Sequence, residues 1–424
     1  MAPDRSRTRL RSILAGSAGN TVETFDWFVY AAFTLYFAKV FFPAGDRTAQ
    51  LLSAAAVFAV GFLARPVGAW LMGLYADRVG RRAAMTLSIS LMCAGSLIIG
   101  LAPGYDRIGV AAPILLTAAR ILQGLSMGGE YGTSATYMAE MASRHNRGFW
   151  SGIFYTTLIA GQLLATGTLI ALQALLSPED LQAWGWRIPF FIGGGLAVLV
   201  FWLRRTMHET PAFTGKSEDR ATTWKLIVRH PRESLIVMGL TAGGTLGYYT
   251  FTTYIQKFLV NTSGFSKTDA TWMTAVGLVV FMAVNPLLGA LSDRIGRRPI
   301  LIAFGIAGTL LTWPLLSTLA RTHEIAPALA LTCAGMVLVA FYSSVNGVVK
   351  AELFPAEIRA LGVALPYSFA NALFGGSAEA VGLWFKHRGM ESGFYTYVTA
   401  VIAASLVVYV LMPDTRKTSR ILED

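Results

Sequence analysis

The chain has 424 residues, 54% hydrophobic and 14% charged, with a mean hydropathy of +0.52. An ordinary soluble domain carries about 25% charged residues, so the composition argues against a soluble protein and for one dissolved in lipid. The net charge of +11 does not point to nucleic acid, because no basic, aromatic soluble module accompanies it.

Apolar runs of roughly 17 to 25 residues span a bilayer, and about twelve recur along the chain. They cover 13 to 38, 51 to 74, 83 to 102, 110 to 139, 149 to 175, 187 to 204, 235 to 258, 270 to 291, 299 to 319, 326 to 349, 360 to 385 and 393 to 412. The first run reads as a retained span. It is too long for a signal peptide, contains Glu23 and Asp26, and lacks a small-residue cleavage site.

Lys and Arg collect in alternate loops. Arg5 to Arg11, Arg78 to Arg82, Arg144, Arg147, the stretch from Arg204 to Arg232, Arg294 to Arg298, Lys350, Arg359 and Arg416 to Arg420 fall on one side. The opposite loops hold fewer, Lys257 and Lys267 among them. The positive-inside rule makes the basic side cytoplasmic, with both termini. The expected organisation is an N-terminal six-helix bundle over 1–204, a cytoplasmic linker over 205–233 and a C-terminal six-helix bundle over 234–424. Cys93 and Cys333 sit in apolar runs, and the five histidines share no ligand spacing, so neither metal, cofactor nor disulfide is expected.

One unit is used twice. GLYADRVGRR after the second run and GALSDRIGRR after the eighth place Asp77, Arg78 and Arg81 in register with Asp293, Arg294 and Arg297. A second pair matches it: Glu140 and Arg147 flank the exit of run four, and Glu352 and Arg359 flank the exit of run ten at the same spacing. An Asp at a helix end can pair with loop arginines or with a neighbouring helix N-terminus and so hold one conformation. These ten residues are the expected cytoplasmic gate.

Ionisable side chains near the bilayer centre cost roughly 2.5 to 3.5 kcal/mol on insertion scales and so mark function. Glu23, Asp26 and Tyr30 form one helical stripe, and two close carboxylates raise each other's proton affinity. With Glu130 in a GGEYG run, Glu23 and Asp26 are the candidate proton-coupling groups, and Tyr30 is a candidate for substrate binding. Arg120 is a permanently charged fork suited to a carboxylate, with Arg65 as a second cation. By depth, Asp26 and Arg120 are expected to face a common cavity. Tyr155, Gln162, Tyr249, Tyr342, Asn346, Tyr367 and Asn371 are the polar candidates to complete it.

The doubled loop motif resembles the major facilitator superfamily. GNTVETFDWFVY, GFLARPVG, RILQGLSMGGEYGTSATYMAE, WGWRIPF and KAELFPAEIRALGV further resemble its metabolite:proton symporters. YTFTTYIQKFLVNT, NALFGGSAE and LLSAAAVFAVGFLARP look more like the carriers of alpha-ketoglutarate than those of osmolytes, shikimate or citrate. The resemblance implies an all-α fold of two pseudo-symmetric six-helix bundles and a monomer in the bacterial inner membrane. It implies that the substrate, a small organic acid, is imported with protons. An exporter or a non-transporting nutrient sensor keeps the same fold, whereas an enzyme would need a nucleophile with its base, a metal cluster or a cofactor loop, and none is present in the sequence.

Overall fold

The computed structural model describes residues 5–43, 45–79, 81–128, 130–205, 230–355 and 358–421, with side chains described from Asn20 onward and omitted for 73–74, 76–78, 81–85, 130, 132–134, 137, 141, 197 and 199–205. Among the described residues there is no strand. The helices of the first half are α1 (Arg5–Phe41), α2 (Arg47–Val79), α3 (Arg81–Leu101), α4 (Tyr105–Ile108), α5 (Ala111–Met127), α6 (Glu130–Met141), α7 (Arg147–Leu175), α8 (Pro178–Ala183) and α9 (Ile188–Arg205). Those of the second are α10 (Pro231–Tyr249), α11 (Ile255–Asn261), α12 (Lys267–Ile295), α13 (Arg297–Leu319), α14 (Ile325–Leu353), α15 (Arg359–Ala370), α16 (Ala378–His387) and α17 (Glu391–Leu411).

The apolar runs become helices because a backbone in hydrocarbon must satisfy its own hydrogen bonds. Among the described residues, six helical stretches are each long and apolar enough to cross a bilayer, including Arg147–Leu175, Lys267–Ile295 and Ile325–Leu353. Helix starts obey local chemistry. Ser266 accepts the Asp269 N–H at 3.0 Å to open α12, and Ser177 accepts the Asp180 N–H at 3.1 Å to open α8. Between α12 and α13 the chain turns at Gly296 with φ 104°, a region that a side chain would strain. That is the reason for glycine in the second GALSDRIGRR motif.

Two predicted runs are interrupted, while run 110–139 is helical over Ala111–Met127 and Glu130–Met141. Runs seven and eleven each contain a π-helical segment, Thr250–Tyr254 and Asn371–Gly375, joining α10 to α11 and leading from α15 toward α16. A π turn rotates the next stretch of helix relative to the one before it, and such turns are common at functional sites. Here the breaks lie next to Tyr248, Tyr249 and Asn371, all of which reach the central cavity.

Within the first half α1 packs on α7, α2 on α5, and α3 on α5 and α9; within the second α12 packs on α14, and α17 on α10 and α13. The two halves meet mainly where α7 lies along α12 and α14, and where α2 meets α16 and α6 meets α15. Small residues set the closest approaches. A methyl group on Gly124 would strike the backbone of Gly61, and one on Gly148 would strike the backbone of Gly289 in the other half. Such contacts take the place of hydrophobic burial, which gives no drive between helices in lipid.

Candidate transport site

A cavity of about 80 Å³ lies between the two halves, several times the roughly 10 to 15 Å³ that one water requires on the same scale. Its wall comes from α1, α2, α5, α6 and α7 on one side and from α10, α14, α15 and the second π segment on the other. The lining is amphipathic: Trp27, Phe28 and Phe154 beside Asn20, Asn371 and the tyrosines 131, 155, 248, 249, 342 and 367. Among the described residues lining it, Arg65 is the one cation and Glu23 the one acid. A site with one fixed positive fork and a ring of hydroxyls suits an organic anion.

Arg65 is held by stacking. Its Cζ lies 4.0 Å from the centroid of Trp27 and 4.2 Å from that of Phe62. One terminal nitrogen meets the Met127 sulfur at 3.5 Å, and its Nε has no hydrogen-bond partner among the described residues. An aromatic face orients a guanidinium without spending its hydrogen-bond donors, and it fixes this one at the cavity wall beside Tyr249.

Asp26 and Arg120 do not line the cavity, contrary to the expectation from depth. Both are buried inside the first half. Asp26 accepts from Ser96, and from Gln123 at 2.9 Å; Gln123 also donates to Ser96 at 2.8 Å. Arg120 donates to Gln123 at 2.8 Å and stacks on Trp27 at 3.8 Å. The reason is rotation: at 100° per residue, Asp26 points well away from Trp27 and toward α3, α5 and α9. Gly193 of α9 leaves the room, since a methyl there would strike the Asp26 carboxylate. The predicted stripe therefore divides. Glu23 faces the cavity, whereas Asp26 and Tyr30 face inward, with the Tyr30 hydroxyl donating to the Ala54 carbonyl at 2.8 Å.

Tyr155, Tyr249, Tyr342, Tyr367 and Asn371 line the cavity. Gln162 and Asn346 instead join the halves beside it. Gln162 donates to the Thr252 carbonyl at 2.8 Å and accepts from Tyr248 at 3.3 Å. Asn346 donates to Tyr131 at 3.1 Å and also to Tyr155. Trp27, Gln123 and Ser96 are functional neighbours that sequence reasoning misses. An indole directly after a membrane acid, and a glutamine one turn past Arg120, are the signals that could have found two of them.

At the end that bears the repeated motif, Asp293 caps the N-terminus of α7 from across the interface. Its two oxygens accept the Gly148 and Phe149 N–H groups at 2.8 and 2.9 Å, while Arg297 donates to it at 2.7 Å. One of the Glu/Arg contacts crosses the interface, Arg359 pairing with Glu140 of the other half, whereas Glu352 faces Arg297 of its own half at 3.5 Å. The C-terminal segment adds a strap. Thr415 donates to Glu352 at 2.6 Å, Arg359 donates to the Arg420 carbonyl at 3.0 Å, and Arg147 donates to Ser419 at 3.4 Å. Arg294 is exposed. The side chains of Asp77, Arg78, Arg81 and Glu130 lie outside the described residues.

The opposite end is closed by two lysines that look like loop charges in the sequence. Lys257 is fully buried, pairs with Glu379 at 3.2 Å and donates to the Ala31 carbonyl of the other half. Lys267 donates to the Leu35 carbonyl at 3.0 Å. Contacts thus join the two halves at both ends of the molecule.

Two helical sets closing on a polar cavity, with broken helices at its wall, are the build of a secondary transporter. The chain belongs to the Major Facilitator Superfamily, whose pattern matches residues 18–376 and 246–423, and it is a multi-pass membrane protein. It is 47% identical over 416 residues to the "Alpha-ketoglutarate permease" of Escherichia coli (strain K12), covering 98% of this chain and 96% of that one. It is 35% identical over 379 residues to the "Citrate-proton symporter" of Klebsiella pneumoniae, covering 88% and 84%. The solved proton:xylose symporter XylE, bound to 6-bromo-6-deoxy-D-glucose, superposes with a TM-score of 0.78 at 18% identity and 98% coverage of each chain, which shows the shared fold. These similar proteins are transporters and not enzymes.

Proposed function

We propose that the protein is a proton-coupled symporter that imports a dicarboxylate, alpha-ketoglutarate first among candidates, by alternating access. The observation that carries this is Arg65, a buried guanidinium stacked on Trp27 and Phe62 at the wall of a cavity rich in tyrosine hydroxyls. The relatives named for alpha-ketoglutarate and citrate support an organic acid as the ligand.

Energetics explain the proton. Each charge moved through 100 mV is worth about 2.3 kcal/mol, so a dianion alone would be driven out of a negative cell interior. Two protons neutralise it, and a third adds the membrane potential as a driving force. In this reading Arg65 and the tyrosines hold the carboxylates and Glu23 takes a proton beside them. Asp26 and Arg120 set the back of the site through Gln123 and Trp27, with Glu130 as a further proton group. The motif residues, Asp77, Arg78 and Arg81 included, form the cytoplasmic gate. The bundles over 1–204 and 234–424 rock about the cavity as a monomer in the inner membrane, with both termini and the 205–233 linker cytoplasmic.

The test is uptake of radiolabelled alpha-ketoglutarate into proteoliposomes with and without an inward proton gradient, competed by succinate, citrate, shikimate, proline and betaine. Gradient-driven uptake, lost in Arg65→Ala and uncoupled in Glu23→Gln, is the expected result. Equal uptake without the gradient would remove the coupling. Competition by betaine or shikimate alone would replace the substrate.

A further inference from the structure

Lys350 stands on α14 one turn beyond Asn346, toward the motif end. Its ammonium is fully buried and has no hydrogen-bond partner among the described residues. Its surroundings are aromatic: Nζ lies 3.9 Å from the Tyr367 ring centroid and 5.3 Å from that of Tyr131. Those two rings belong to opposite halves, stack at 3.8 Å between centroids, and both line the central cavity.

Neither packing nor topology accounts for this placement. A lysine that only marks the cytoplasmic side would extend its ammonium to the interface, yet Lys350 exposes nothing. Nearby acids are committed elsewhere, Glu352 to Arg297 and Thr415, and Glu140 to Arg359. Among the described residues no carboxylate pairs with it; buried cations in membrane proteins are costly and mark ion or substrate pathways.

We propose that Lys350 is a second carboxylate-binding site, on the path from the cavity to the motif end. This rests on the organic-anion reading of the cavity. With the halves closed, the Tyr131–Tyr367 stack covers the ammonium and its π faces partly replace a counter-ion. Because each half contributes one ring, opening the motif end must separate the stack and uncover Lys350. The same motion frees the Asn346 amide from the Tyr131 and Tyr155 hydroxyls. The departing anion then exchanges Arg65 for Lys350 and Asn346, so that its carboxylate is never without a cation along the exit.

The experiment uses the full chain in proteoliposomes of defined orientation, with alpha-ketoglutarate varied on each face in turn, for wild type, Lys350→Met, Lys350→Gln and Lys350→Arg. Thermal unfolding in detergent is measured alongside. The expected result is a rise of about tenfold in half-saturation at the motif face for Met and Gln, less than twofold change at the opposite face, recovery in Arg, and no loss of thermal stability in Met. Equal changes on both faces, or no change on either, would overturn the proposal, as would loss of stability in both Met and Gln variants. A wild-type protein that moves no dicarboxylate removes the organic-anion reading first and this site with it; normal wild-type transport with symmetrical variants removes this site alone.

Discussion

The Trp27 indole carries Arg65, whose Cζ lies 4.0 Å from the ring centroid, and it carries Arg120 at 3.8 Å as well. One ring therefore links the cation that faces the cavity to the cation buried behind it. Moving the ring moves both. A cation–π contact is worth about 0.5 to 2 kcal/mol according to its desolvation. Trp27→Leu is expected to raise the half-saturation for uptake about tenfold, and Trp27→Phe, which keeps a smaller π face, by two- to threefold. Initial-rate uptake kinetics check this, and an unchanged Leu variant would sever Trp27 from the binding site.

The Asp293 cap on α7 holds the motif end closed. A carboxylate at a helix N-terminus contributes about 0.3 to 2 kcal/mol, and Asp293→Asn weakens it without changing size. The variant is expected to populate the motif-end-open state. The readout is maleimide labelling of a cysteine placed at Ser151, buried between the halves, in a background lacking Cys93 and Cys333. Labelling should accelerate several-fold, and labelling at the parent rate would show that the cap is not what keeps that end shut.

Crosswise pairing makes a specific claim about charge exchange. Glu140→Arg and Arg359→Glu each place like charges together across the interface and are expected to reduce uptake by tenfold or more. The double variant restores part of it. Recovery stays incomplete because Arg359 also donates to the Phe354 and Arg420 carbonyls. Uptake in the double variant no better than the product of the two single losses would mean that the pair is not coupled.

Gly193→Ala tests the buried network around Asp26. The added methyl meets the Asp26 carboxylate, and overpacking of this kind costs roughly 1 to 3 kcal/mol. A fall of several degrees in melting temperature is expected, and Asp26→Asn should lose less because the amide still bonds Ser96 and Gln123. Differential scanning fluorimetry ranks the two; a Gly193→Ala protein as stable as the parent would refute the packing at that site.

Depth and duplication are legible in the sequence, and rotation and partnership are not. Counting along an apolar run places Asp26 and Arg120 mid-membrane whichever way the helix turns. Which of Glu23 or Asp26 meets the cavity depends on a net rotation of about 60° over three residues and on how α1 is packed. Depth alone puts Arg120 ahead of Arg65 for the same reason, and the structure reverses that order. The doubled motif reads as two copies, but equal copies cannot reveal that Arg359 reaches Glu140 in the other half. Lys257 has the look of a loop charge at the end of run seven, whereas the helical path continues through the π segment to Asn261.

The contact between Gly148 and Gly289 limits how this interface can be observed. Two bare backbones meet there, so any reporter group, spin label or cross-linking cysteine at either position would act as a wedge. It would prop open the end whose closure it was meant to record. A faithful distance measurement has to borrow its anchor points from further along α7 and α12, and engineers wanting a form held open at the motif end have in that glycine pair the smallest substitution that should produce one.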